Sequence, residues 1–315
     1  MISNTEFELH VSFTGCKFRN VVELEIVFFR SSVFFTRSSF ERQTIIEANI
    51  LREARFESCI FNQSVRFSGF IVWSMPVAGE RETDEVSRLF DGEADLTNIY
   101  FPSGTQVLFT GVDLSSAKLT GTDFSGTKFQ DVSWYQPSLR RSGLYEEVRF
   151  FKKKNWQDLR KRRATLEETY RNIRVTLEED NRNYNEAADF YIGELDARRS
   201  RMNPMKRWIF SVEALYRLLS RYGTSPLRAT TVLIVLILSH AAITAMLQKG
   251  IDLYSVGDLS IVLLRSVRLI VFHIDPTDEV QLTVAQNWSD TLFRIIATIQ
   301  IALLVFALRG KIKRH

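Results

Sequence analysis

Residues 109–134 read FTGVDLSSAKLTGTDFSGTKFQDVSW, with large apolar side chains at Phe109, Leu114, Leu119, Phe124, Phe129 and Trp134. The interval is five throughout. Two places before Leu114 and each later one stands a small or β-branched residue: Val112, Ala117, Thr122, Thr127 and Val132. An amphipathic helix repeats its apolar residues at three and four, and a half-buried strand at two, so a run of fives belongs to neither. Toward the N-terminus the beat loosens to five or six. It passes through Phe13, Phe18, Leu24, Phe29, Phe34, Phe40, Ile45, Ile50, Phe56, Phe61 and Phe67, and resumes at Leu96 and Phe101. Cys16, Ala48, Ala54 and Cys59 hold the minus-two place there.

The runs Ala94-Asp95-Leu96, Ala48-Asn49-Ile50 and Thr122-Asp123-Phe124 resemble the pentapeptide-repeat family, whose consensus is A-[DN]-[LF]-x-x. The resemblance implies a right-handed quadrilateral β-helix over residues 1–136, in which four pentads make one coil. Centre residues would stack one coil apart at the inter-strand spacing of ~4.8 Å. A single coil cannot bury its own centres, so stability must come from neighbouring coils. Five or six coils are expected. The charged stretch from Met75 to Asp91 interrupts the ladder and reads as a surface loop, a short helix or a partner contact. Cys16 and Cys59 read as small inward fillers, and with two cysteines and four scattered histidines neither a disulfide scaffold nor a Cys/His metal cluster is expected.

Charge divides the 315 residues into three unlike parts. Residues 1–151 carry 15 basic and 20 acidic side chains, net −5; residues 152–221 carry 17 and 11, net +6; residues 222–315 carry 9 and 6, net +3. Nineteen of the 24 phenylalanines lie in the first part. A net −5 is modest for the DNA-mimicking rods found among soluble pentapeptide-repeat proteins.

Residues 137–203 read as a charged helical connector. Leu166, Tyr170, Ile173 and Leu177 form one apolar stripe, and Tyr184, Ala187, Ala188, Tyr191 and Leu195 form another. The run from Ala187 to Arg199 resembles a segment of bacterial membrane proteins that join pentapeptide repeats to a channel-like C-terminus. That resemblance implies coupling roles for Asp189, Tyr191, Glu194, Arg198 and Arg199. A plain helical hairpin packed on the repeats is the other reading. The basic runs Lys152–Lys154 and Arg160–Arg163 fit anionic lipid, nucleic acid or a solvated helix face, and no nucleic-acid module accompanies them.

The last part reads as a membrane domain. Residues 204–222 form an amphipathic interfacial helix with Trp208, Val212, Leu215, Leu219 and Tyr222 on one face and Arg217 and Arg221 opposite. Residues 229–248 contain no formal charge and are long enough to cross the ~30 Å hydrocarbon layer; 291–308 form a second span. Basic residues before the first span and after the second put both termini in the cytoplasm of an inner membrane. Between the spans, the apolar segment at 259–273 is too short to cross and reads as re-entrant or interfacial. Span, short helix, span is also the layout of tetrameric cation channels, although no T-V-G-Y-G filter is present. Arg265 and Arg268 would line a pore or snorkel to the interface. His240, Thr244, Arg294 and Gln300 are polar at membrane depth, with His240 expected to bond a neighbouring helix and Gln300 to reach across an oligomer interface.

No P-loop, Rossmann glycine pattern, H-E-x-x-H or G-x-S-x-G occurs, so neither enzymatic activity nor a cofactor is expected. The reading is an oligomer of four or more chains in the lipid bilayer, forming or gating an ion-channel-like pore. Its architecture resembles two-span effectors of bacterial anti-phage systems, which implies a protein or small-molecule trigger. The alternative is a membrane-anchored scaffold without conductance.

Overall fold

The computed structural model describes residues 1–72, 85–138, 140–147, 156–202, 212–247, 256–271 and 284–312. Most of the ladder's interruption, Lys152–Lys154, Trp208, His273 and the last three residues lie outside them. The chain divides into two compact units, Met1–Met202 and Asn203–His315.

The first unit is a parallel β-solenoid of about five turns whose coils stack in register. Four columns of inward side chains run its length. One stacks Leu24, Ile46, Phe67, Phe109 and Phe129; a second stacks Phe7, Phe29 and Ile50, then Leu114 and Trp134. A third passes through Phe13, Phe35, Phe56, Leu96 and Leu119, and the fourth through Phe18, Phe40, Phe61, Phe101 and Phe124. Rings in the same column stack nearly parallel, at 5.0 Å for Phe13–Phe35 and Phe35–Phe56 and at 4.7 and 4.6 Å for Phe18–Phe40–Phe61. These separations match the inter-strand spacing, so backbone pairing and ring stacking reinforce one another.

Steps of six fall at corners, and the pairing of Val22–Phe29 with Thr44–Ile50 carries one irregularity, a register shift between Glu25 and Val27 where Ile26 has a positive φ. Phe7 faces Phe29 and Leu24 faces Ile46, a repeat of 22 residues, whereas Phe109 faces Phe129 after 20. In the longer coils two of the four corners hold one extra residue. As a result Phe35 and Ile46 are buried, while Phe34 and Ile45, which a count of five selects, are only half-buried. The corner between third and fourth columns needs a left-handed residue on every coil: Gly15, Arg37, Ser58, Asn98 and Gly121 all have positive φ. A two-residue turn of this kind requires φ > 0 at its second central place.

The minus-two residues do more than fill space. Ser38 Oγ donates to Phe13 O and accepts from Cys16 N at 3.0 Å; Thr122 Oγ1 does the same for Leu96 O and Ile99 N, one coil earlier. The Cys59 thiol donates to Phe35 O, and burial pushes its pKa up to about 12, so it is inert as a nucleophile. Thr122→Val keeps the volume but strips both partners, and it is expected to cost about 1–3 kcal/mol. A urea-unfolding midpoint equal to that of the parent protein would refute this.

The interruption begins and ends as an antiparallel ribbon, Phe70–Val72 against Glu85–Ser87. The open edge of the last coil is closed by an antiparallel hairpin of α1 (Trp156–Glu179) and α2 (Tyr184–Ser200). Asp180 accepts from Gly126 N, Asn181 pairs with both Phe129 N and Thr127 O, and Thr176 Oγ1 donates to Phe124 O. An exposed sheet edge invites association with other strands, and these bonds remove it. Phe190 packs on Trp134 and Tyr170, extending the aromatic column into the helices.

The second unit contains α3 (Val212–Ser220), α4 (Pro226–Leu247), α5 (Val256–Val271) and α6 (Val284–Ile312).

Candidate functional site

Two places combine polar chemistry with burial, and the connector motif builds the first. Asp189 Oδ2 accepts from Arg141 N at 3.0 Å, Arg174 lies over the Tyr191 ring, and Glu194 takes Arg171 and Arg174 at 2.9 Å each. A Cβ on Gly193 would stand 2.4 Å from both Arg140 and the Tyr170 ring, so only glycine fits. Beneath it Arg140 grips Glu147 with two bonds, and Tyr170 joins Glu147 to Leu144 N. Arg198 is exposed and Arg199 half-buried in the last turn of α2. The motif therefore supplies the lid of the solenoid.

Glu146 completes that lid by accepting from Leu119 N and Thr120 N with one oxygen; the other, also buried, has no partner among the described residues. Burial pushes its pKa up, and the backbone donors offset this only in part. A raised folded-state value means that the folded chain holds this proton more tightly than the unfolded chain does. The contribution is thus complete below the ordinary carboxyl range and fades as pH rises through the raised value. Glu146→Gln, which keeps the acceptor, should flatten the pH dependence of unfolding between the ordinary carboxyl range and neutrality. Parallel stability–pH curves for the two proteins would contradict it.

The second place lies in the C-terminal unit, at the meeting of α4, α5 and α6. His240 Nδ1 is 2.9 Å from Ser266 Oγ and His240 Nε2 is 3.0 Å from Asp290 Oδ1. Arg265 Nη2 donates to Asp290 Oδ2 at 2.7 Å, and the imidazole stacks on Phe293 at 4.0 Å. His240, Ser266 and Asp290 are fully buried, and the Arg265 side chain is only 11% exposed. The quartet accommodates His240 in either charge state. Ser266 Oγ sits 3.0 Å from Val262 O, so an imidazolium can donate to both Ser266 and Asp290 while the hydroxyl donates to Val262. A neutral ring donates to Asp290 and accepts from a rotated hydroxyl. The Ser–His–Asp sequence of contacts has the outline of a hydrolase triad. Ser266 is wholly enclosed between helices, however, and no acyl carbon can reach its oxygen unless α5 moves.

Other polar groups fall outside this cluster. Gln300 does not point outward: its amide donates to Ala229 O at 2.8 Å and Leu219 O at 3.3 Å, tying α3 and α4 to α6 within one chain. Arg268 is exposed on α5, one turn beyond Arg265, and Arg294 is half-buried one turn beyond Asp290. Asp290 and Ser266 carry no signal in the sequence at the level of single residues. Asp290 stands just ahead of the apolar run, and its spacing from Arg265 and His240 acquires meaning only when the helices are packed.

Around this polar interior the surface is apolar. Leu227, Ile234, Val235, Leu238 and Met246 on α4, and Ile295, Ile299, Val305 and Phe306 on α6, are exposed. Both helices are long and apolar enough to cross a membrane, and only 22% of each apolar window is buried. A soluble core helix would be mostly buried. Exposed Thr231, Ser239, Thr291 and Thr298 each donate to the carbonyl four residues back, so their hydroxyls need no outside partner. Pairing Gln300 with Ala229 and Asp290 with His240 runs α4 and α6 antiparallel, which brings Arg228, Arg309 and Lys311 to one end. His240 lies twelve residues from Arg228, about 18 Å along the helix.

A family described as "Pentapeptide repeats (8 copies)" matches residues 105–133, the region where the interval is strictly five. No curated protein and no solved structure matches the chain. The N-terminal unit is thus a pentapeptide-repeat β-solenoid, and the chain that carries it continues into helices of which two are long and apolar enough to span a membrane.

Proposed function

We propose that this is a two-span membrane protein whose C-terminal units assemble, four or more together, into an ion-channel-like pore. The solenoid is its cytoplasmic sensor and assembly domain. The polarity of the C-terminal unit carries the reading: the His240–Asp290–Arg265 cluster lies inside while aliphatic side chains of α4 and α6 lie outside. Water gives the opposite arrangement, and hydrocarbon favours this one. The shared basic end of α4 and α6 marks the cytoplasmic side. Two spans per chain cannot enclose a path for ions, so several chains must supply it. The order span, short amphipathic helix, span supports a pore, and depolarisation on infection, the action of an anti-phage effector, is the cellular role that goes with it.

The test is overproduction in bacteria loaded with a membrane-potential dye, together with the mass of the detergent-solubilised particle. Loss of potential and a particle of at least four chains are expected. Unchanged potential with a monomer rejects the pore.

One observation favours a second reading, a membrane-anchored scaffold without conductance. His240, Arg265, Asp290 and Gln300 each find a partner within the chain, although Arg265 Nε and Gln300 Oε1 have none among the described residues, and the outer faces of α4 and α6 are largely apolar. Removing residues 203–315 separates the two: a scaffold keeps its cellular effect when supplied with an unrelated membrane anchor, and a pore loses it.

A further inference from the structure

The α1–α2 hairpin is electrically polarised along its length. Its loop end carries Glu178, Glu179, Asp180 and Glu186 against one cation, Arg182, and is bonded to the last coil through Asp180 and Glu186. About 27 Å away along α1, at the helical rise, lies the opposite end. There the start of α1 meets the end of α2, as shown by Arg163 donating to Ser200 O at 2.5 Å and Arg201 to Glu167 at 2.6 Å. Over residues 161–167 and 196–201, six cations (Lys161, Arg162, Arg163, Arg198, Arg199 and Arg201) stand against two carboxylates, Glu167 and Asp196. Glu167 is already engaged by Arg171 and Arg201. Lys161, Arg162 and Arg198 are exposed.

We infer that this basic end is a docking surface for anionic lipid headgroups, which holds the solenoid unit against the bilayer. The inference rests on the membrane reading above. The chain leaves the solenoid unit at this same end, at Met202. Ten residues on, at Val212, lies α3, whose Val212, Leu215 and Leu218 are exposed and suit the membrane interface. A cluster tethered there meets a lipid surface at high effective concentration. Each cation close to an anionic leaflet adds attraction that falls off within a Debye length. The cations belong to two helix ends and present no helix face shaped for a groove. A diffuse anionic surface therefore fits them better than nucleic acid does.

The test uses the full chain in nanodiscs of phosphatidylcholine alone or mixed with phosphatidylglycerol, with amide hydrogen exchange followed over residues 156–166 and 196–202. Exchange there should slow at least about tenfold in the anionic discs and recover at high salt. Replacing Lys161, Arg162 and Arg198 together by glutamine should weaken docking by on the order of a hundredfold while exchange in the solenoid strands stays unchanged. Equal exchange in both discs overturns the docking surface but leaves membrane insertion standing. A chain that enters neither disc removes the membrane reading and this inference with it. Protection of the same segments by duplex DNA on neutral discs, matching that given by anionic lipid, also overturns it and assigns the cations to nucleic acid.

Discussion

Asp290→Ala is expected to cost the C-terminal unit about 3–5 kcal/mol, because it strands the Arg265 guanidinium and leaves His240 facing an apolar hole. The size of the effect comes from the uncompensated charge, not from the strength of the original pair. Charges drawn into a protein interior regain through pairing little more than the desolvation they lose, but an orphaned one has no compensation at all. This leads to a second expectation. Replacing both partners, as in Asp290→Leu with Arg265→Met, should recover most of the lost stability, since apolar residues of similar volume substitute well for a buried pair. Unfolding in detergent by added sodium dodecyl sulfate, followed by circular dichroism at the helical band, measures both. A single variant as stable as the parent would mean that water or lipid headgroups already reach Asp290. A double variant no better than the single would mean that the quartet carries more than charge balance.

Phe35→Ala should remove about 3–5 kcal/mol from the solenoid, whereas Phe34→Ala, at the adjacent residue, should remove less than about 1 kcal/mol. Phe35 is 2% exposed and stacks between Phe13 and Phe56, so truncation opens a cavity that neighbouring rungs, pinned by their own pairing, cannot close. Phe34 lies half-exposed on the outer face with the Arg55 guanidinium 4.9 Å from its ring. Its loss removes one cation–π contact and a little area. Chemical unfolding of the two variants side by side is decisive. Equal losses would mean that the corner before the third column is placed one residue wrongly.

The pair also measures how far the sequence reveals the fold. The five-residue beat announces a solenoid because every coil repeats the same requirement at the same interval, and repetition survives as a pattern in one dimension. Phase is less visible. When a coil lengthens from 20 to 22 residues, the extra residues sit at corners, and counting cannot tell which of two adjacent phenylalanines turns inward. Phe34 and Ile45 fit the count, but the corner geometry selects Phe35 and Ile46. The connector behaves likewise. Its stripes announce helices, but that Gly193 makes room for Tyr170 and Arg140, or that Asp180 and Asn181 close the last coil, depends on surfaces brought together from distant parts of the chain.

The C-terminal unit divides in the same way. Sequence alone determined that two stretches are apolar over a bilayer's thickness and that His240, Arg294 and Gln300 are costly within them, because composition and length are local properties. Tertiary structure alone decided that His240 meets Ser266 and Asp290, 26 and 50 residues away, and that Gln300 turns into its own chain. A polar side chain in an apolar setting must find a partner, and the energy of leaving it alone dictates that need from the sequence outward. Which partner it finds depends on how helices cross, and that is set by packing over the whole unit.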